Sequence, residues 1–431
     1  MTHNRLHQFC RRGLSAVVVA LVAAVGPWSA QTRGGDWPQF RGPGRDNKLV
    51  GFTAPANWPK ELKKDWSVSV GDSVASPALV GDKLYTFTRR GGDEVIACID
   101  AGTGKELWTE KYPAEEIKGG AGGYKGPRGS PAVSDDKVCT FGVTGVLTCL
   151  DAKTGKQVWR HETKGRPTFY TSVSPTIADG KVILYTGSSG AFGGKGGGKG
   201  GKGGGPAGPP GKGELVAYDL ATGDVKWKLA GEGPGYGSPV VVTLAGVKQV
   251  VVISESNLVG AALADGKQLW KTEFNQGRHQ TGTPVIDGDT VILAGSAYKI
   301  EKKGDEFVAT RQWRDQAPHQ YNTPVLKDGI VYGYAGQGRS TRIYAQDAKT
   351  GKPYWADGAA GGECGSILDA GTVLIALSSD GNLIVFKGGK DDYTEVAKYM
   401  VADGGTWAAP VIDGKRIFVK DRDALTLWTI E

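Results

Sequence analysis

Two histidines stand at matching places before a Thr-Pro pair, in His279-Gln280-Thr281-Gly282-Thr283-Pro284 and His319-Gln320-Tyr321-Asn322-Thr323-Pro324. Imidazole binds protons and metals near neutral pH, and amide and phenol groups beside it add hydrogen-bonding and stacking capacity. Aligning the other Ser/Thr-Pro pairs on the same register puts Tyr170 in a third copy. One or two places further on lie Arg128, Tyr236, Glu363 and Trp407. Gathered around one opening, these side chains would form a polar and aromatic pocket suited to a sugar, a peptide or a small anion. His279, His319 and Glu363 also have the types that can hold a divalent metal. The competing reading is that these groups only hydrogen-bond loop backbones, and no metal site is assigned. The remaining histidine beyond the leader, His161, follows Trp159 and is expected in solvent.

Catalytic patterns are missing. No two cysteines are adjacent, no Asp/Asn/Glu set has calcium-loop spacing, and there is no Gly-x-Ser-x-Gly, His-Glu-x-x-His or phosphate loop. No catalytic residue is assigned, and the expectation leans away from an enzyme. Cys139 and Cys149 flank a hairpin centred near Thr144. They can form a cross-strand disulfide in an oxidising compartment or stand as two small buried residues.

The elements that must position the candidate pocket come from a repeat. Asp-x-x-Thr-Gly-x-x-x-Trp occurs at Asp100–Trp108, Asp151–Trp159, Asp219–Trp227 and Asp347–Trp355, with a worn copy ending at Trp270. More eroded copies end at Trp313 and Tyr399, and Trp66 fits the same place. The steps between these aromatics are 42, 51, 68, 43, 43, 42 and 44 residues. Ser/Thr-Pro recurs at 76, 130, 174, 238, 283 and 323, with degenerate copies at Ser366-Ile367 and Ala409-Pro410. Between the two elements lie alternating apolar runs separated by Asp-Gly-type turns, such as Lys83–Thr88, which read as hairpin strands. A period in the low forties with four strands is a propeller blade. The sequence therefore predicts an all-β, eight-bladed β-propeller of four-stranded antiparallel blades, with seven blades as the alternative. Too few strands remain after Ala409-Pro410, so the segment holding Trp66 is expected to complete the last blade. The seven tryptophans, Trp66, Trp108, Trp159, Trp227, Trp270, Trp313 and Trp355, are expected to dock one blade on the next.

Residues 1–30 read as a signal peptide, with Arg5, Arg11 and Arg12 before a short apolar run. That places the chain in the periplasm or outside the cell, with no membrane span left after cleavage. Residues 31–61 form an N-terminal arm and 62–431 the propeller, interrupted at 190–213 by an insert with 14 of the 68 glycines. Such a composition cannot bury enough surface to fold. Of the formal charge of +7, three units sit on the leader arginines and four on Lys195, Lys199, Lys202 and Lys212 of the insert. The rest is near neutral, which argues against nucleic acid as a partner.

Strands ending Leu-Asp-Ala-Lys-Thr-Gly-Lys-x-x-Trp, as at Leu150–Trp159, resemble the repeats of the pyrroloquinoline quinone (PQQ) propeller superfamily. That superfamily includes quinoprotein alcohol dehydrogenases and the outer-membrane assembly propeller. The stretch Asp36-Trp37-Pro38-Gln39-Phe40-Arg41-Gly42-Pro43 resembles the lead-in of secreted PQQ-like repeat proteins of planctomycete type. The leader, the complete ring and the missing catalytic patterns lead to the expectation of a monomeric binding or scaffold module with a protein or carbohydrate partner in the cell envelope, and no cofactor. The resemblance implies as an alternative a PQQ- and calcium-dependent oxidoreductase, and the histidines leave open a carbohydrate-active enzyme.

Overall fold

The computed structural model describes Met1 and residues 35–134, 136–190, 211–274, 281–293, 295–315, 321–336, 341–358 and 362–431. The leader and residues 191–210 of the insert lie outside them. Within the described residues the chain forms eight four-stranded antiparallel sheets, seven of them built from consecutive strands. In each such blade the strands run A to D in chain order, for example Ala78–Val80, Lys83–Arg90, Asp93–Asp100 and Glu106–Pro113 in blade 1. The eroded copies ending at Trp313 and Tyr399 each complete a full sheet, which removes the seven-blade alternative.

The eighth blade has the order Lys63–Ser69, Ala424–Thr429, Arg416–Lys420, Val411–Asp413. Its outermost strand comes from the start of the propeller, with Lys63 opposite Thr429 and Ser69 opposite Ala424. This pairing joins the two ends of the ring and supplies the strand the last blade lacks.

The repeat motif explains itself across the blade boundary. Asp151 Oδ1 accepts the Thr154 N–H at 2.8 Å and the Thr154 hydroxyl at 2.7 Å, closing the C-to-D turn. Gly155 then takes φ +73, and a Cβ there would lie 2.5 Å from the Trp108 ring of blade 1. Only glycine combines that backbone conformation with so close an approach. Gly104, Gly223 and Gly351 meet Trp66, Trp159 and Trp313 in the same way. The indole N–H then donates to a carbonyl of the following blade: Trp66 to Ala101 (3.2 Å), Trp108 to Ala152 (3.2 Å) and Trp159 to Leu220 (3.0 Å). Trp227 to Leu263 (3.0 Å), Trp313 to Ala348 (2.9 Å) and Trp355 to Gly389 (2.9 Å) continue the series. Trp270 differs. Its N–H turns back to Gln249 Oε1 of its own blade at 2.7 Å, although its ring packs with Val291 and Ile300 of the next. In blade 5 the C-to-D turn is made at Gly304, which has nothing within 4 Å of its Cβ position, so no turn glycine packs on the Trp270 ring there.

The Ser/Thr-Pro element forms a second, inner belt. The Ser76 N–H donates to Ser130 Oγ (3.0 Å), Ser130 to Ser174 (2.9 Å) and Ser174 to Ser238 (3.0 Å). Ser238 donates to Thr283 Oγ1 (3.2 Å), Thr283 to Thr323 (3.0 Å), and Ala409 to Ser76 (2.8 Å). Each hydroxyl thus satisfies a backbone donor of the neighbouring blade, where strand pairing has not yet begun. The degenerate copy breaks the belt, because Ser366 Oγ is buried without a partner.

The arm lies across the channel. Trp37 exchanges backbone bonds with Leu79 of blade 1 (2.8 and 2.9 Å), and Pro38 O accepts the Val133 N–H of blade 2 (2.7 Å). On the far side Arg41 Nη2 donates to Pro324 O of blade 6 (3.0 Å), and Asn47 Nδ2 to Ile367 O of blade 7 (3.0 Å). Arg41 and Arg45 are buried at 2% and 5% exposure. Burial lowers their guanidinium pKa to about 10 and about 9, and for Arg45 the neighbouring Arg41 adds to it.

Candidate binding site at the channel mouth

The loops joining strand D of one blade to strand A of the next surround one mouth of the channel. They enclose a cavity of about 470 Å³, within the range of small-ligand sites. The cavity is lined by the belt residues Ser76, Ser130, Ser174, Ser238, Thr283 and Thr323, and by Phe40 of the arm. The arm therefore lends a side chain to the cavity while its neighbours occupy the channel.

Of the ten residues aligned from the repeat register, Arg128, Tyr236, Tyr321, Glu363 and Trp407 line this cavity. His279, Gln280, His319 and Gln320 lie outside the described residues. Tyr170 is elsewhere. Its backbone is left-handed (φ +65), and its ring is buried with Ile117 and Val143. Its hydroxyl accepts the Lys118 N–H at 3.0 Å, so it braces the preceding loop. Arg128 has a similar bracing task. Its Nη1 donates to Phe169 O and its Nη2 to Ala121 O at 3.1 Å, and burial lowers its pKa.

Three aromatic cavity residues are not found from the repeat register: Phe40, Tyr124 and Phe169. Tyr124 sits in the glycine-rich connection between blades 1 and 2. It meets Trp407 edge-on at 5.2 Å between ring centres, and the Trp407 N–H donates to its hydroxyl at 2.6 Å. Tyr321 meets the same indole at 5.7 Å, also edge to face. Tyr321 holds a left-handed backbone (φ 63) and is 45% exposed. A bulky residue in that conformation is strained. Across the cavity, the Tyr236 hydroxyl accepts the Phe169 N–H at 3.3 Å. Glu363 is exposed, and its backbone N–H is fixed by Ser379 Oγ at 2.8 Å.

The two hairpin cysteines stand directly opposite each other, Cys139 against Cys149. Both are buried free thiols, and burial pushes the Cys139 thiol well up. His161 Nε2 donates to Gly223 O at 2.8 Å and the ring stacks with Tyr218, so it is partly covered by blade 3. Among the described residues no three His, Cys, Asp or Glu converge in a metal-ligating group.

Fold and site together define a class: a closed eight-bladed propeller with an aromatic cavity at one channel mouth. The family follows from comparison. A family model described as outer membrane protein assembly factor BamB matches residues 92–357, and the chain belongs to that family of PQQ-type repeat propellers. It is 23% identical over 347 residues to outer membrane protein assembly factor BamB of Yersinia pestis, covering 75% of this chain and 70% of that one. It is 26% identical over 394 residues to a polyvinylalcohol dehydrogenase of Pseudomonas sp, covering 84% of this chain but 56% of the relative. The chain thus spans little more than half of that dehydrogenase. The crystal structure of quinohemoprotein alcohol dehydrogenase from Comamonas testosteroni superposes with a TM-score of 0.69 at 17% identity, covering 93% of this chain and 81% of that chain. A likeness at that identity speaks for the fold alone. Among the described residues no helix is long and apolar enough to cross a membrane.

Proposed function

We propose that this chain is an exported, non-catalytic binding or scaffold module of the cell envelope that takes its ligand or partner at the channel mouth. The observation that carries the reading is the lining of the cavity. It has six aromatic side chains, Phe40, Tyr124, Phe169, Tyr236, Tyr321 and Trp407, and its described residues include no imidazole and no thiol. The belt hydroxyls accept backbone N–H bonds of the neighbouring blade, a structural role. The BamB relatives are named outer membrane protein assembly factors, and that name supports a role in the envelope here.

The described residues do not fit a PQQ-dependent oxidoreductase. The cofactor is a flat tricarboxylate that needs cations and a calcium site. Arg128 spends its donors on backbone carbonyls, Glu363 is the one carboxylate among the described lining residues, and no cysteines are adjacent. The test is to add PQQ and calcium to the purified chain, then record the quinone spectrum and dye-linked alcohol oxidation. We expect neither a bound spectrum nor turnover, and turnover would overturn the non-catalytic reading. The carbohydrate-active alternative rests on His279 and His319. Replacing both with Ala and finding polysaccharide binding unchanged would take them out of the site.

A further inference from the structure

We infer that the channel-mouth cavity selects a ligand bearing an organic cation, an ammonium or guanidinium group held against the Tyr124–Trp407–Tyr321 cluster beside Glu363. The inference rests on the binding-module reading above and names the ligand class for that site.

The geometry is that of an aromatic cage. Trp407 is held edge to face by two tyrosines, at 5.2 and 5.7 Å between ring centres. The faces of a tryptophan ring are the negative part of its quadrupole and attract cations. The cluster is fixed: Trp407 is tethered by its N–H to Tyr124, and the Tyr321 backbone N–H is held by Thr281 Oγ1 at 3.0 Å. Tyr124 already receives one internal cation, with Arg422 5.8 Å from its ring centre. That arginine is paired with Asp72 at 3.1 Å, so its charge is balanced.

The charges around the cavity point the same way. Arg128 is directed into the carbonyls of Phe169 and Ala121. Lys125 pairs with Glu116 at 3.7 Å. Glu363 is an exposed charged residue of the lining, and its carboxylate acts electrostatically on Tyr124 of the cluster. An anionic ligand would meet Glu363 and no uncommitted cation among the described lining residues. A cation would meet an aromatic face and a carboxylate, each of which favours it.

The ligand chemistry has two sources, a free small ammonium compound or a basic side chain presented by a protein. The full chain is titrated by saturation-transfer NMR and calorimetry with tetramethylammonium, the tripeptide amide Gly-Lys-Gly, benzene-1,3,5-tricarboxylate and cellohexaose. We expect the two cations to bind and the tricarboxylate not to. Tighter binding of the tripeptide assigns the source to a protein side chain, and equal or tighter binding of tetramethylammonium assigns it to a small ammonium compound. Glu363→Gln, at an exposed position that folding does not need, should weaken cation binding about five- to ten-fold. Trp407→Leu should abolish it, and Trp407→Phe should retain part of it. Failure of both cations to bind, or cation binding untouched by Glu363→Gln, overturns the inference. If cellohexaose or the tricarboxylate binds instead and Trp407→Leu removes it, the cation preference is wrong while the mouth remains a binding site.

Discussion

Gly155→Ala isolates what the Thr-Gly turn contributes between blades. At this position two costs coincide. The backbone is left-handed at φ +73, and an added Cβ would lie 2.5 Å from Trp108 Cε3 and 2.6 Å from Cδ2. Holding Ala in the left-handed region costs about 1–2 kcal/mol. Forcing a methyl into a packed ring adds about 1–3 kcal/mol, so the expected loss is roughly 2–5 kcal/mol. Gly180, in the A-to-B turn of blade 3, provides the control: φ is +66, but nothing lies within 4 Å of its Cβ position. Gly180→Ala should therefore cost only the backbone share, about 1–2 kcal/mol. Urea unfolding midpoints of the two variants, compared at equal slopes, measure the difference. A Trp108→Leu background should recover much of the Gly155→Ala loss, because the clash partner is gone, whereas it should leave the Gly180→Ala cost unchanged. Equal costs for the two glycine variants, or no recovery with Trp108→Leu, would refute the claim that the motif joins blades.

The inner belt and the turn aspartates give two further predictions. Ser130→Ala leaves the buried Ser76 N–H without its acceptor, for a loss of about 1–3 kcal/mol. Ser366→Ala removes a buried hydroxyl that has no partner and should change stability by less than about 0.5 kcal/mol or raise it; thermal unfolding of both variants checks the contrast. Asp219 is lowered from 3.8 to about 2, first by Lys226 and then by the Thr222 N–H. Because the folded value lies below the unfolded one, its contribution is complete above the unfolded pKa and is lost as pH falls toward 2. The urea midpoint of Asp219→Ala should thus trail the parent at pH 6 and approach it near pH 2.5, and a gap of constant size would count against this.

The blades were legible because each one writes its own boundaries. Asp and Thr-Gly mark the C-to-D turn, Trp marks strand D, and Ser/Thr-Pro marks the entry to strand A. Even the closing strand could be read, since Trp66 fits the repeat with no blade of its own before it. What the motif is for was less visible. The glycine of one blade and the tryptophan of the previous one are far apart in sequence, and only the ring brings them together. Trp270 shows what the turn contributes: the next blade turns at Gly304, which does not meet the ring, and the Trp270 N–H turns back to its own blade. The register also brought Arg128, Tyr236, Tyr321, Glu363 and Trp407 to the mouth. It failed for Tyr170, because the long connection between blades 1 and 2 supplies Ile117, which buries that ring together with Val143, and nothing in the repeat register marks that packing.

The missed residues follow a physical rule. A ring of near-identical blades surrounds its channel with near-identical groups, here the belt of Ser and Thr hydroxyls, and those are consumed in holding the blades together. A specific ligand needs asymmetry, which the repeat cannot supply. It has to come from segments that break the period. Tyr124 lies in the connection that lengthens the step from Trp108 to Trp159, and Phe169 in the loop that follows Trp159. Phe40 comes from the arm, outside the repeat altogether. Alignment on the repeat is blind to such segments by construction. For this fold, candidate ligand contacts are better sought where the period fails than where it holds.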